Sequence, residues 1–178
     1  MTHIEIEFRS TITKEKFDWL NDFLSSNGQD LGQDDKETMF YVMPDNFFKV
    51  VNETSKKQAK IVLKSGHIGS SHALKEWEIK ISPSDFETTV ELFSYLLSDS
   101  KKIRSHQTRH NYLYQGIEIA VKYSEEWQYH VEMEIIINDN KEKTSGEEKI
   151  KKLAQELGIK LMTNEEVKNF AKKIEDSF

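Results

Sequence analysis

The chain has 178 residues, 31% of them charged, with a net charge of −6 and no cysteine. That length suits one domain over residues 1–178; the acidic balance excludes general nucleic-acid binding, and the lack of cysteine excludes a disulfide framework, a thiol nucleophile and cysteine-ligated zinc. No apolar run approaches a membrane span, and the N-terminus opens on a strand pattern rather than a signal peptide, so a soluble, cytoplasmic protein is expected.

The first element is a strand over residues 3–10. Thr13 is placed to cap a helix over 14–26, where Phe17, Leu20, Phe23 and Leu24 recur at helical spacing and Asn27-Gly28 ends it. The polar stretch 29–36 reads as a loop. Strands follow at 37–43 and 46–52 about a Pro44-Asp45 turn, then at 58–65 and 73–81. Pro83, with Ser82 as cap, opens a helix over 84–97 with Leu92, Phe93, Leu96 and Leu97 as its apolar stripe. Strand patterns resume at 101–113, 116–124 and 127–138. The tail reads as two helices, 145–157 and 163–176, capped by Ser145 and Thr163 and separated by Gly158.

About eight strands, mostly adjacent in sequence, predict an α+β protein: an antiparallel β-barrel with helices packed outside and a helical C-terminus. Several strands carry charge along one whole face. Lys60 and Lys64 oppose Ile61 and Leu63; Glu76, Glu78 and Lys80 oppose Trp77, Ile79 and Ile81; Gln107 and Arg109 share a face. With helices over the apolar faces, the charged faces would line a polar tunnel. Lys60, Lys80 and Arg104 read as surface charges, His106, His110 and Tyr112 as ordinary half-exposed strand residues, and Trp19, Trp77 and Trp127 as packing or interface residues.

Two strands repeat one pattern: His-Ile-Glu-Ile-Glu-Phe-Arg at 3–9 and His-Val-Glu-Met-Glu-Ile at 130–135. Alternation puts Glu5, Glu7 and Arg9 on one face of the first, and His130, Glu132 and Glu134 on one face of the second. Two such strands facing each other would gather four carboxylates, which repel unless a cation sits among them. Oxygen donors of this kind suit Mg²⁺ or Mn²⁺.

The opening Glu5-Ile6-Glu7-Phe8-Arg9 resembles the Glu-x-Glu-x-Lys signature of the CYTH family, the triphosphate tunnel metalloenzymes, which include thiamine triphosphatases, inorganic triphosphatases and class-four adenylate cyclases. Further pieces follow in the family's order: Lys49 on a basic strand, Ile61-Val62-Leu63-Lys64, the acidic strand Lys75-Glu76-Trp77-Glu78, Arg109, and Glu132-Met133-Glu134. The resemblance covers residues 3–137. It implies a charged tunnel in which Arg9, Lys49, Lys64 and Arg109 hold a triphosphate. Glu5, Glu7, Glu132 and Glu134, with Glu76 and Glu78 as further candidates, would hold one or two divalent ions. Glu5, Glu7 and Arg9 would then be the catalytic group, acting through positioning and electrostatics.

The sequence departs from the pattern at four places. Arg9 stands for the usual lysine, Val51 for a second basic residue, Gln107 for the lysine of a Lys-x-Arg strand, and Lys122 for a common aspartate. The resemblance therefore implies divalent-metal-dependent hydrolysis of an inorganic or organic triphosphate. Its alternatives are an adenylate cyclase of the same fold and a polyphosphate- or nucleotide-binding module without turnover. The C-terminal helices either close one tunnel end or form a homodimer contact.

Overall fold

The computed structural model describes residues 4–43, 46–65, 76–137 and 139–177. Among them are nine strands and four α-helices, an α+β architecture. In chain order they are β1 (Ile4–Thr11), α1 (Lys14–Asn27), β2 (Gln29–Gln33), β3 (Lys36–Val42), β4 (Asn46–Glu53), β5 (Gln58–Ser65), β6 (Glu76–Ile81), α2 (Phe86–Leu96), β7 (Lys101–Tyr114), β8 (Ile117–Ser124), β9 (Gln128–Ile137), α3 (Lys143–Glu156) and α4 (Asn164–Ser177). The strands form one antiparallel sheet in the order β1-β9-β8-β7-β3-β4-β5-β6, with β2 on β7; among the described residues hydrogen bonds do not close this path. No helix among the described residues is long and apolar enough to cross a membrane.

Two compact units divide the chain. The first contains β1, α1, β2, the last residues of β7, β8, β9 and α3. Alternation in β1, β8 and β9 sends Ile6, Ile117, Ile119, Val121, Val131 and Met133 to one face, where Leu20 and Leu24 of α1 and Ile150 and Leu153 of α3 bury against them. Burying a side chain of this size contributes roughly 1.5–3 kcal/mol, so these strands are held face-down and their charged faces are left on the other side. Thr13 Oγ1 accepts the Lys16 N–H and opens α1 as its sequence position predicts. The second unit contains β3 to β6, α2, the first residues of β7, and α4. Its core is Tyr41, Phe48 and Val50 under Phe86 and Val90 of α2, and the buried Tyr41 hydroxyl donates to the Val90 carbonyl at 2.8 Å.

Several boundaries differ from the sequence reading. Residues 29–33 are not a loop but a short strand on β7, with a bulge between Asp30 and Gly32. The stretch shows no alternation because it is exposed nearly throughout, and Gly32 takes a φ of 91° that fits the bulge. The apolar stripe of α2 is Phe86, Val90, Phe93 and Leu97, while Leu92 and Leu96 are exposed; the helix is apolar on more than one side, so spacing alone did not choose the buried one. Ser82 makes no capping bond, and a 3₁₀ turn over Pro83–Asp85 precedes α2. Ser145 lies inside α3, which starts at Lys143. The Pro44-Asp45 turn, Lys75 and His3 lie outside the described residues.

Gly146 sets how closely α3 approaches β1. A Cβ there would lie 2.7 Å from the Ile6 Cδ1. Alanine would regain helix propensity at the cost of a small shift of Ile6, but a larger group has nowhere to go. Gly146→Leu is expected to destabilise the protein by about 1–3 kcal/mol through overpacking, read as a lower urea midpoint with an unchanged m-value.

Candidate functional site

The charged face of the first unit is built on the β1–β9 pair. Register sets Glu7 opposite Glu134, Arg9 opposite Glu132, Thr11 opposite His130, and Glu5 opposite Ile136. Directly opposed residues of an antiparallel pair share a face, so the two Glu-x-Glu motifs do face the same way. They are offset by two residues, however, and a guanidinium rather than a carboxylate stands across from Glu132.

Glu132 is the hub. Arg9 Nε lies 3.0 Å from its Oε1; Lys122 Nζ of β8 lies 2.8 Å, and Arg109 Nη1 of β7 3.5 Å, from its Oε2. Arg9 Nε also reaches Glu7 Oε1 at 2.6 Å, while Arg109 donates to Asn111 Oδ1 at 2.6 Å and has Glu118 at 3.8 Å. The cluster is graded in depth. Lys122 is 7% exposed by side chain and Glu132 12%, whereas Arg9 and Glu7 keep 30% and 28%. Solvent, and any ligand, meets Arg9 and Glu7 first. The Arg9 guanidinium also lies 5.7 Å from the centroid of the Trp127 ring, which fixes it from another side.

Charge balance tunes each group. Burial alone would raise the Glu132 carboxyl, but Lys122 and Arg9, and then Arg109, hold it well below the usual carboxylate range. Glu7 is pushed the other way, first by burial and then by the Glu132 charge, against the pull of Arg9 and Lys122. Burial lowers Lys122, opposed by Glu132 and reinforced by Arg109 and Arg9. For Arg9, burial works against the charge and is outweighed by Glu132 and Glu7.

His130, on the same strand face, is fully buried, and its Nδ1 donates to the Gln128 carbonyl at 2.8 Å. Burial first, then the nearby Lys122 charge, push it down to about 4. The unfolded chain takes up this proton at higher pH than the folded one, so His130 stabilises the fold fully above pH 6.5, and that contribution is lost as pH falls towards 4. His130→Gln is therefore expected to flatten the loss of melting temperature between pH 6.5 and 4; an unchanged slope would take His130 out of the acid response.

Among the described residues no three His, Asp or Glu side chains gather as ligands. Glu7 and Glu134 lie opposite each other in register, and burial and the Glu132 charge raise the Glu7 carboxyl although Arg9 lies 2.6 Å from it. Glu132 has three cationic groups on its oxygens already. The side chains of Glu5, Lys64 and Glu76 lie outside the described residues.

In the second unit, register places Lys49 beside Phe40 and Val62, Lys60 beside Val51 and Lys80, and Glu78 beside Val62, all on one strand face. Lys60 Nζ lies 2.8 Å from Glu78 and 3.4 Å from Glu53. Glu78 therefore serves Lys60, and Lys60 belongs to the same face as Lys49 rather than to an unrelated surface. A cavity of about 250 Å³ is lined there by Glu53, Lys57, Lys60, Glu78 and Lys80 among others. Val51 is buried, and Gln107 pairs with Lys36 of β3. Glu118 and Trp127 are site neighbours that sequence reasoning missed. Glu118 was within reach of the same alternation, since Ile117, Ile119 and Val121 fix the apolar face of β8.

The fold and site together define an α+β protein in which carboxylates and basic side chains interlock at hydrogen-bond distance on one antiparallel sheet face. The chain belongs to the CYTH family: the CYTH domain model matches residues 3–167. No curated protein matches it. Among solved structures it is similar to a conserved hypothetical protein from Pyrococcus furiosus, with 23% identity over 92% of this chain and 99% of that one and a TM-score of 0.66. It is similar to the PH1012 protein from Pyrococcus horikoshii, with 19% identity over 89% and 94% and a TM-score of 0.67. It is also similar to the adenylyl cyclase-like protein HpAC1 from Hippeastrum, described as having a dominant triphosphatase activity, with 15% identity over 90% of each chain and a TM-score of 0.62. At these identities the likenesses establish the fold alone.

Proposed function

We propose that the protein hydrolyses a triphosphate, inorganic or organic, in a reaction that depends on a divalent ion, Mg²⁺ or Mn²⁺. The observation that carries this reading is the Arg9–Glu132–Arg109 arrangement beside Glu7. Two guanidinium groups are held at fixed distances from one carboxylate, with Arg9 partly exposed and Glu7 next to it. Guanidinium groups such as those of Arg9 and Arg109 make charge-assisted bonds to phosphate oxygens, which are strong and directional. Because Glu132 pins both forks, they hold the phosphate chain without reorganising, which is where electrostatic catalysis gains most. Glu7 and Glu134, with Glu5 on the same strand face, would hold the ion, and when bound it neutralises phosphate oxygens and positions the attacking water. By resemblance to the family pattern, Lys49 and Lys64 would contact phosphate as well. The triphosphatase activity described for the Hippeastrum protein favours hydrolysis over cyclisation.

The test measures phosphate and pyrophosphate release from inorganic triphosphate, ATP and thiamine triphosphate, with Mg²⁺ or Mn²⁺ and with chelator. Chelator-sensitive phosphate release is expected. Pyrophosphate release from ATP would replace the hydrolase by a cyclase, and binding without release of either product would replace it by a binding module.

A further inference from the structure

The charged face of the first unit does not stay charged to its open end. Along β9 that face runs His130, Glu132, Glu134 and then Ile136, where continued alternation would place another polar group. Ile135 packs against the core and Ile137 is buried in it, so Ile136 between them points to the charged side, as the register partner of Glu5. The same row opens from the buried His130 to Ile136, which is 61% exposed. On β8 the face opens likewise, from the buried Lys122 to the half-exposed Glu118. β7 ends in the same manner: Arg109, Asn111 and Leu113 alternate on one face, Asn111 is buried and Leu113 is exposed. The two-residue turn Gln115-Gly116, with φ of 51° and 71°, sets Leu113 across from Glu118. Single exposed apolar side chains are ordinary on a protein surface. Two at the open end of a face that elsewhere carries carboxylates and bases form a lip of different chemistry.

We infer that Ile136 and Leu113 hold the organic group of the substrate, so that the preferred substrate is an organic triphosphate with an apolar or flat heteroaromatic group and not inorganic triphosphate. This deepens the hydrolase reading and rests on it for one thing, that the phosphates lie beside Arg9. Ile136 is four residues along β9 from Glu132, the register partner of Arg9, or about 13 Å at the rise of a strand. That is longer than a three-phosphate chain, so what reaches Ile136 is the group attached to it. β9 and β7 flank β8 in the sheet, which puts the two side chains about 10 Å apart across it, a width that a ring system covers. An apolar group there is removed from water against both side chains. A bare phosphate gains nothing from either, and the Glu118 carboxylate beside Leu113 repels it. Ile136 and Leu113 thus choose between triphosphates and take no part in breaking the bond.

The experiment compares full-length wild type with Ile136→Ser on inorganic triphosphate, ATP and thiamine triphosphate, by calorimetric binding and by kcat/KM for phosphate release with Mg²⁺. Ile136 is mostly exposed, so the variant is expected to melt within about 2 °C of wild type. Wild type is expected to favour an organic probe over inorganic triphosphate. Ile136→Ser should weaken that probe about five- to tenfold, in Kd and KM and not in kcat, and shift inorganic triphosphate by less than about twofold. Leu113→Ser should move the organic probe in the same direction. An equal loss on all three probes, no loss on any, or a wild-type preference for inorganic triphosphate would overturn the inference; continued phosphate release would then leave the hydrolase reading standing. An organic preference in binding that depends on Ile136, without phosphate release, would uphold the inference and remove hydrolysis instead. Binding of none of the three probes would overturn both.

Discussion

Replacing Glu132 by alanine is expected to destabilise the protein by about 3–5 kcal/mol, the range for stranding a buried charge by removing its partner. For a chain of this size that corresponds to a fall in melting temperature of about 6–20 °C, a large part of a typical folding free energy of about 5–15 kcal/mol. The cause is Lys122. Its ammonium is 7% exposed and bonded to Glu132 at 2.8 Å, and the neighbouring charges of Arg109 and Arg9 already disfavour it. Without the carboxylate, three positive groups face one another with no counter-charge at the centre. Adding Lys122→Met to Glu132→Ala removes the stranded amine and supplies apolar volume, so the double variant is expected to be more stable than Glu132→Ala alone. The difference between the two measures the coupling directly. A melting temperature for Glu132→Ala within about 2 °C of wild type would mean that Lys122 reaches water or another partner, and the buried network would fall as an explanation.

The strands of the site were legible because each alternates over a covered apolar face. Ile4, Ile6 and Phe8 in β1, and Val131, Met133 and Ile135 in β9, announce which way Glu7, Arg9, Glu132 and Glu134 point. The register between them was not legible. Both motifs read Glu-x-Glu, and sliding one strand by two residues leaves every apolar side chain on the same face. The burial pattern therefore does not distinguish four carboxylates together from the observed Arg9–Glu132 pair. Lys122 was visible only as a charge reversal against the family pattern; that it turns inward and joins Glu132 depends on the neighbouring strands. β2 was hidden for a different reason, since its pairing with β7 buries almost nothing and so leaves no periodicity in its residues. The face shared by Lys49, Lys60 and Glu78 shows the complementary limit: alternation places each residue within its own strand, but cross-strand register joins them.

Removing the two carboxylates that face each other at the open end separates function from stability. Glu7→Gln with Glu134→Gln is expected to lower kcat for metal-dependent triphosphate hydrolysis by about 100- to 1,000-fold, as losing a bound ion's charge stabilisation costs several kcal/mol of barrier. Stability should move the other way. The folded protein raises the Glu7 carboxyl above its ordinary value, through burial and the Glu132 charge. Its favourable contribution is therefore complete only below the ordinary value of 4.5 and is lost as pH rises through the raised one. At neutral pH an ionised Glu7 works against the fold, and an uncharged glutamine of the same shape relieves that cost. The double variant should melt at or above the wild-type temperature at pH 7 and lose this advantage on acidification. Added Mn²⁺ should stabilise wild type and leave the variant unmoved, because a ligand raises stability only where the folded state binds it. Lower stability together with lost activity would mean that Glu7 and Glu134 hold the strands rather than an ion. Full activity in the double variant would place the catalytic charge elsewhere on the sheet. A Glu7 carboxylate that burial and the Glu132 charge disfavour at working pH is the one the proposed cation would relieve.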